Sequence, residues 1–279
     1  MPAFVRLLVG LILGLLSALT PPSAGAGSFL DGVSARGTLR IGLTGDYRPF
    51  SLIDPQTGEW SGMDVELGRQ LAASMGAQPE FVRTAWPQLS GDMQAGRFDI
   101  AMGGISVTPE RAKIGIFTSA ILSDGKTPIA RCEDQFRFQT LPAINQASVR
   151  VIVNPGGTNE RFARAHFSQA QLIVHPDNRS IFDEIIHGRA DVMVTDATEA
   201  RLQSRLHAEL CAIHPDTPFD HSDKAYLMQK DAALAEQVEA WLANMRASGA
   251  LQSMIDKWIN GRLALMPLQS STVSVQAGE

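Results

Sequence analysis

This chain of 279 residues is poor in cysteine, with two, and carries no excess of basic charge, with 24 Lys and Arg against 29 Asp and Glu. The cysteines form no Cys-x-x-Cys pair and the six histidines no cluster at metal-ligand spacing, which argues against a structural zinc and leaves no metal implied. A net charge of −5 argues against nucleic acid or an anionic membrane as partner. Beyond Ala26 there is no long apolar run, so no spanning helix is expected in that part. The glycine-containing stretch Asn154–Glu160 lacks the spacing to Gly-Lys-Ser/Thr that a phosphate-binding P-loop needs.

The one long apolar run lies at the start. Arg6 precedes apolar residues 7–19, then Pro21-Pro22 and the small residues Ala24-Gly25-Ala26. This is the pattern of a secretory signal peptide over 1–26 cleaved after Ala26, and it predicts an exported, periplasmic protein. Removing it takes away Arg6 and no acid, leaving a formal charge of about −6. In an oxidising compartment Cys132 and Cys211 are expected to pair, closing a loop of roughly 80 residues worth about 4 kcal/mol in the chain-entropy model. Two buried thiols are the alternative.

The remainder alternates strand and helix. Strands are expected at 39–44, 80–83 and 98–103, with helices at 63–75 and 86–95 and a helical turn at 108–113. The pattern restarts with strands at 150–153, 171–174 and 191–195 and helices at 159–167, 180–187 and 199–206, and closes with helices at 232–248 and 251–259. Two βα sets joined through Ser123–Gln135 predict an α/β protein of two lobes with a cleft between them, the default ligand site.

Candidate site residues lie where strands end. After the strand 191–195 come Asp196 and Glu199, three residues apart. Their spacing fits first a capping box that only satisfies helix amides, and only after that a pair of functional carboxylates. The turn Thr44–Phe50 presents Asp46 and Tyr47. Gly103–Arg111 sets Ser106 and Arg111 at a helix start, where a guanidinium can take a carboxylate in two hydrogen bonds. Asn154–Glu160 offers free amides for an anion. Trp86 follows a strand and suits either a ring-packing or a core role, whereas His175, Asn178, His214 and His221 read as structural.

Taken together, the two-lobed layout, Ser106-x-Thr108-x-x-Arg111 and Asp196 resemble the periplasmic amino-acid-binding proteins. The resemblance sharpens to their cyclohexadienyl dehydratase branch through 44–51, 124–129, 153–160, 174–178, 195–202 and 209–215. It implies a type II periplasmic-binding-protein fold, with residues 28–127 plus 218–262 in one lobe, 128–217 in the other and 263–279 as a tail. It also implies a lyase acting on prephenate and L-arogenate, with no cofactor. Prephenate has two carboxylates and a ring hydroxyl that must leave, so the site needs anion donors and one acid. Arg111, Ser106, Gly157 and Thr158 would hold the side-chain carboxylate. Lys126 and Asn159 would hold the ring carboxylate or the departing oxygen, and Asn154 would reach the substrate. Glu199 would be the acid, and Asp196 would stay ionised and suit the ammonium of arogenate. The rival expectation is a solute receptor that binds a polar amino acid and performs no reaction; an extra acid and amine, Glu199 and Lys126, would separate the two.

Overall fold

The computed structural model describes residues 28–261; the expected leader over 1–26 and the tail over 263–279 lie outside the described residues. Two five-stranded sheets form. The first runs Gln78–Arg83, Thr38–Leu43, Ile100–Ala101, Leu227–Met228, Ile116–Phe117, and the second Gln171–Val174, Arg150–Val153, Val192–Asp196, Lys126–Arg131, Leu210–Ala212. Each sheet has a parallel half built by βα units and an antiparallel half supplied from elsewhere in the chain. Val192–Asp196 is buried at every position, as a strand covered on both faces must be, and this is why it reads as an unbroken apolar run.

Helices cover the sheets with apolar stripes. Met63–Ser74 buries Met63, Leu67 and Leu71, spaced by four, onto the first core beside Leu39 and Ile41. Ala232–Ala247, capped by Asp231 on the amides of Ala233 and Leu234, buries Leu234, Val238, Trp241 and Leu242 on that same core. Each such side chain contributes about 1.5–3 kcal/mol. The second sheet has separate clusters, around Val151, Val153 and Phe138 on one side and Ile129, Met193 and Phe182 on the other. Two independent cores make two lobes.

Between them the chain crosses at Leu122–Asp124 and returns at Ser222–Lys224, and these segments pair antiparallel. Ser123–Gln135 is therefore more than the expected connector. Lys126–Arg131 within it is an inner strand of the second sheet, paired with Val192–Asp196 along its length. The expected lobe boundary at 127/128 falls inside that strand. The crossing lies just before it, and Lys126 belongs to the second sheet.

Cys132 and Cys211 are bonded across a sequence separation of 79, tying the end of the inner strand to the edge strand Leu210–Ala212. The closing helix ends sooner than its pattern suggests: Ala250–Ile255 is α-helical, and Asp256–Asn260 widens into a π turn. Among the described residues no helix is long and apolar enough to cross a membrane.

Candidate active site

The cleft walls are the carboxyl ends of the parallel strands. Thr38–Leu43 runs into the Asp46–Tyr47 loop, Arg150–Val153 into Asn154–Gly157, and Val192–Asp196 into the helix Ala197–Leu206. Lys126 arrives differently. It begins the antiparallel strand whose register sets Lys126 opposite Asp196, so the two side chains share one face.

Asp196 is the centre of the arrangement. Its Oδ1 accepts from Lys126 Nζ at 2.7 Å, and its Oδ2 accepts from Lys224 Nζ and Tyr47 Oη, each at 2.5 Å. Lys126 also donates to Thr158 Oγ1 at 2.9 Å and to Asn159 Oδ1. Asn159 in turn donates to Asn154 Oδ1 at 3.2 Å and to Thr195 Oγ1 at 3.0 Å, and the Thr195 hydroxyl donates to Glu199 Oε2 at 2.5 Å. Lys224 reaches back to Ser106 Oγ at 2.8 Å, whose carbonyl accepts from Arg111 at 2.9 Å. One continuous chain of polar groups thus joins Glu199 to Arg111 across the cleft. Its ionisable members are almost fully buried, with Glu199, Lys126 and Lys224 each 2% exposed and Asp196 4%.

Of the two readings of Asp196 and Glu199, the capping box does not form. Asp196 occupies the N-cap position, but its side chain makes no capping bond, and Glu199 bonds to Thr195 instead. The crossing segment caps the helix in their place. Ala197 donates to the Gly125 carbonyl, and Thr198 donates to Asp124 Oδ1 at 3.2 Å. Both acids are thereby free for other work.

Their environments drive them apart. Burial pushes the Asp196 carboxyl up, but the ammonium groups of Lys126 and Lys224 outweigh it and hold Asp196 well below the usual carboxylate range. Burial pushes Glu199 up to about 8, the Thr195 hydroxyl and then Lys126 opposing it and the Asp196 charge adding to it. Burial lowers Lys126, partly offset by Asp196, and raises Asp46. Arg111 is lowered to about 10 by burial, then by the charge of Arg161, and stays cationic at neutral pH.

A pocket of about 280 Å³ opens against this chain. Eight of the expected site residues line it, namely Tyr47, Trp86, Ser106, Asn154, Gly157, Thr158, Asn159 and Asp196. Trp86 stands edge-on to Tyr47, 5.5 Å between ring centres, and forms an aromatic wall. Glycine is required at Gly104, where φ is 73° and a Cβ would lie 2.6 Å from the Phe50 ring and 2.7 Å from that of Tyr47. Lys126 and Arg111, expected to hold substrate, do not line this pocket; they donate to residues that do, Lys126 to Thr158 and Asn159 and Arg111 to the Ser106 carbonyl. Asp46 and Glu199 line a neighbouring pocket of about 730 Å³. Asn178 borders both pockets and donates to the Asp46 carbonyl at 3.1 Å, bridging the lobes between them.

Sequence reasoning passed over Lys224, Thr195 and Asp124. Thr195 follows three apolar residues in a strand that reads as buried, where a hydroxyl needs a partner, and that was a usable signal. Lys224 and Asp124 carry none, since their partners lie far along the chain. No group of three His, Cys, Asp or Glu gathers to hold a metal among the described residues.

Residues 39–261 match the family of bacterial extracellular solute-binding proteins, family 3, and the chain belongs to that family. Its fold is the type II two-lobed α/β fold of periplasmic binding proteins. Among relatives, the cyclohexadienyl dehydratase of Pseudomonas aeruginosa is 50% identical over 235 residues, 84% of this chain and 87% of that protein. The crystal structure of an ancestral amino acid-binding protein, a precursor of cyclohexadienyl dehydratase, superposes with a TM-score of 0.77 at 32% identity, covering 83% of this chain and all of that one. An ancestral cyclohexadienyl dehydratase is 47% identical with a TM-score of 0.53, covering 84% of this chain and 98% of its own.

Proposed function

We propose that this protein is a cyclohexadienyl dehydratase of the periplasm, a lyase that converts prephenate to phenylpyruvate and L-arogenate to L-phenylalanine. The observation that carries the reading is the divergence of two carboxyls three residues apart. Asp196 is ionised between two ammoniums, whereas Glu199 is buried with a hydroxyl partner and no bonded cation. Such a pair assigns its own roles, one fixed anion and one acid. An ordinary glutamate is only about 0.2% protonated at pH 7, but one titrating near 8 is about nine-tenths protonated.

The chemistry follows from the substrate. As the bond from the ring to its carboxylate breaks, that electron pair enters the ring and the opposite C–O bond breaks. Glu199 gives its proton to the departing oxygen, so water and carbon dioxide leave and one proton is consumed per prephenate. Gly157, Thr158, Ser106 and Asn154 bind and orient the carboxylates, with Arg111 fixing Ser106 from behind. Lys126 holds Thr158 and Asn159 in place and keeps Asp196 ionised. Tyr47 and Trp86 pack on the ring. The lobes proposed are those expected from sequence, with Lys126 and Thr127 transferred to the second.

A solute receptor would use Asp196 to anchor an amino-acid ammonium. Here both oxygens of that carboxylate are already taken by lysines, which speaks against the receptor and equally against the expected use of Asp196 as anchor for the ammonium of L-arogenate. The deciding experiment is absorbance detection of phenylpyruvate from prephenate, using purified mature protein without metal or nucleotide. Glu199→Gln is expected to lose about 10²- to 10⁴-fold in turnover while retaining substrate binding. No product from either substrate, with tight binding of a common amino acid, would establish the receptor instead.

A further inference from the structure

Asp64 is a buried acid outside the chemistry above. It lies in the first turn of helix Met63–Ser74, where an acid ordinarily sits at the surface and favours the helix N-terminus, yet it is 1% exposed and both of its oxygens are spent on other segments. Oδ2 accepts from the amides of Gly103 at 2.7 Å and Gly104 at 2.9 Å, and Oδ1 accepts from Tyr226 Oη at 2.9 Å. Gly103 and Gly104 have φ of 95° and 73°, and their amides converge in the kind of cradle that elsewhere takes a bound anion. Asp64 fills it from within. Burial pushes its carboxyl up to about 6, opposed by the Tyr226 hydroxyl and the two amides, all neutral partners. An apolar side chain would pack there without that cost, so what the carboxylate adds is placement. The two segments that it grips are paired with each other. Ala225 donates to the Ile105 carbonyl at 3.0 Å, Val107 donates to the Asp223 carbonyl at 2.8 Å, and Ser106 stands opposite Lys224 between them. Lys224 in turn reaches the Ser106 hydroxyl at 2.8 Å.

We propose that Asp64 is a positioning residue of the active site: by holding the Gly103 and Gly104 amides and the Tyr226 hydroxyl at once, it fixes the loop and the return segment together and so sets where Ser106 presents its hydroxyl to the substrate carboxylate. The inference rests on the dehydratase reading for the role of Ser106. Gly104 and Ser106 line the pocket and Asp64 does not, so its effect passes through them. A displaced anchor weakens the bound substrate and the transition state alike, which raises KM and leaves kcat in place.

The test is a double-mutant cycle on prephenate affinity, read by tryptophan fluorescence because Trp86 lines the pocket, with steady-state turnover measured in parallel. Asp64→Leu keeps the volume and removes every acceptor; it is expected to raise Kd and KM about tenfold with kcat within about threefold of the parent. Asp64→Asn keeps a neutral acceptor and is expected to cost about threefold. In a Ser106→Ala background both effects should shrink to less than about twofold, because the group being placed is gone. A tenfold loss that persists without the Ser106 hydroxyl marks Asp64 as merely structural and overturns the proposal, as does an unchanged Kd in Asp64→Leu or a kcat that falls as far as kcat/KM. Should Asp64→Leu not fold, the cycle is read from Asp64→Asn, and an effect that is absent or simply additive overturns the proposal. The cycle needs no product: coupled affinities without phenylpyruvate overturn the dehydratase reading alone. Product with uncoupled affinities overturns the role of Asp64 alone. Prephenate that fails to bind at all overturns both.

Discussion

The two walls of the cleft are built differently. The wall from the second sheet is a saturated polar chain in which Lys126, Asn159, Thr195 and Glu199 each satisfy the next. The wall from the first sheet is aromatic and close-packed, with Tyr47 edge-on to Trp86 and tilted against Phe50 beside Gly104. A polar chain in a low-dielectric site fixes protonation states, because every member constrains its neighbour. An aromatic wall fixes shape and tolerates small changes. The second lobe therefore supplies most of the polar chain, while the other side adds Lys224 and Arg111 to an aromatic surface.

The largest break in this division is expected from Asp196→Asn. It leaves Lys126 and Lys224 buried without their shared anion, and a loss of about 3–5 kcal/mol in urea-unfolding stability is expected. A loss below about 1 kcal/mol would mean that the ion cluster does not hold the polar wall. Lys126→Met comes next. It frees Thr158 and Asn159, and a fall in kcat of about a hundredfold is expected, larger than the change in KM. An unchanged rate would remove Lys126 from the site.

The proton on Glu199 gives two further effects. Its folded value, about 8, lies above the ordinary 4.5, so the folded state keeps a proton that the unfolded chain releases between those limits. Its contribution to stability is complete below pH 4.5 and is lost as pH rises through 8. Glu199→Gln removes that burden, and a gain on the order of 3 kcal/mol at pH 7, vanishing at pH 4, is expected from thermal unfolding across pH. For the parent enzyme, kcat/KM should hold level below about pH 8 and decline above it, provided Glu199 is the acid; a profile that rises through that range would exclude it. The smallest effect should be Trp86→Phe on the aromatic wall, about 0.5–1.5 kcal/mol, read as a few-fold rise in KM with kcat kept. A collapse of kcat there would erase the distinction between the walls.

What could be read in advance followed the range of the interactions. Helices such as Met63–Ser74 and strands such as Val192–Asp196 are written in local apolar periodicity, and the alternation that implied two lobes rests on them. Lys126–Arg131 escaped because Pro128 sits inside it, and proline argues against an inner strand; its carbonyl nonetheless accepts from Ile213 on the neighbouring chain segment. The site shows the same limit. Asp196 and Glu199 stood out, and the spacing that made them conspicuous suited a cap as well as an active site. The choice between those depended on Lys126, Lys224 and Asp124, residues whose contact with them no local pattern records.

Both lysines that neutralise Asp196 come from the crossing: Lys224 ends the return segment, and Lys126 begins the strand just past the outgoing one. Two-lobed binding proteins open by rotation about such segments. Groups near a rotation axis travel little, while those out along the jaws travel far. On such a rotation the triad of charges is expected to stay intact, whereas the Tyr47 to Asp196 and Asn178 to Asp46 bonds, which join the lobes, are expected to break and re-form. The costly step of gathering buried charge would then be taken once, at folding, and each closure would have only neutral donors to put back.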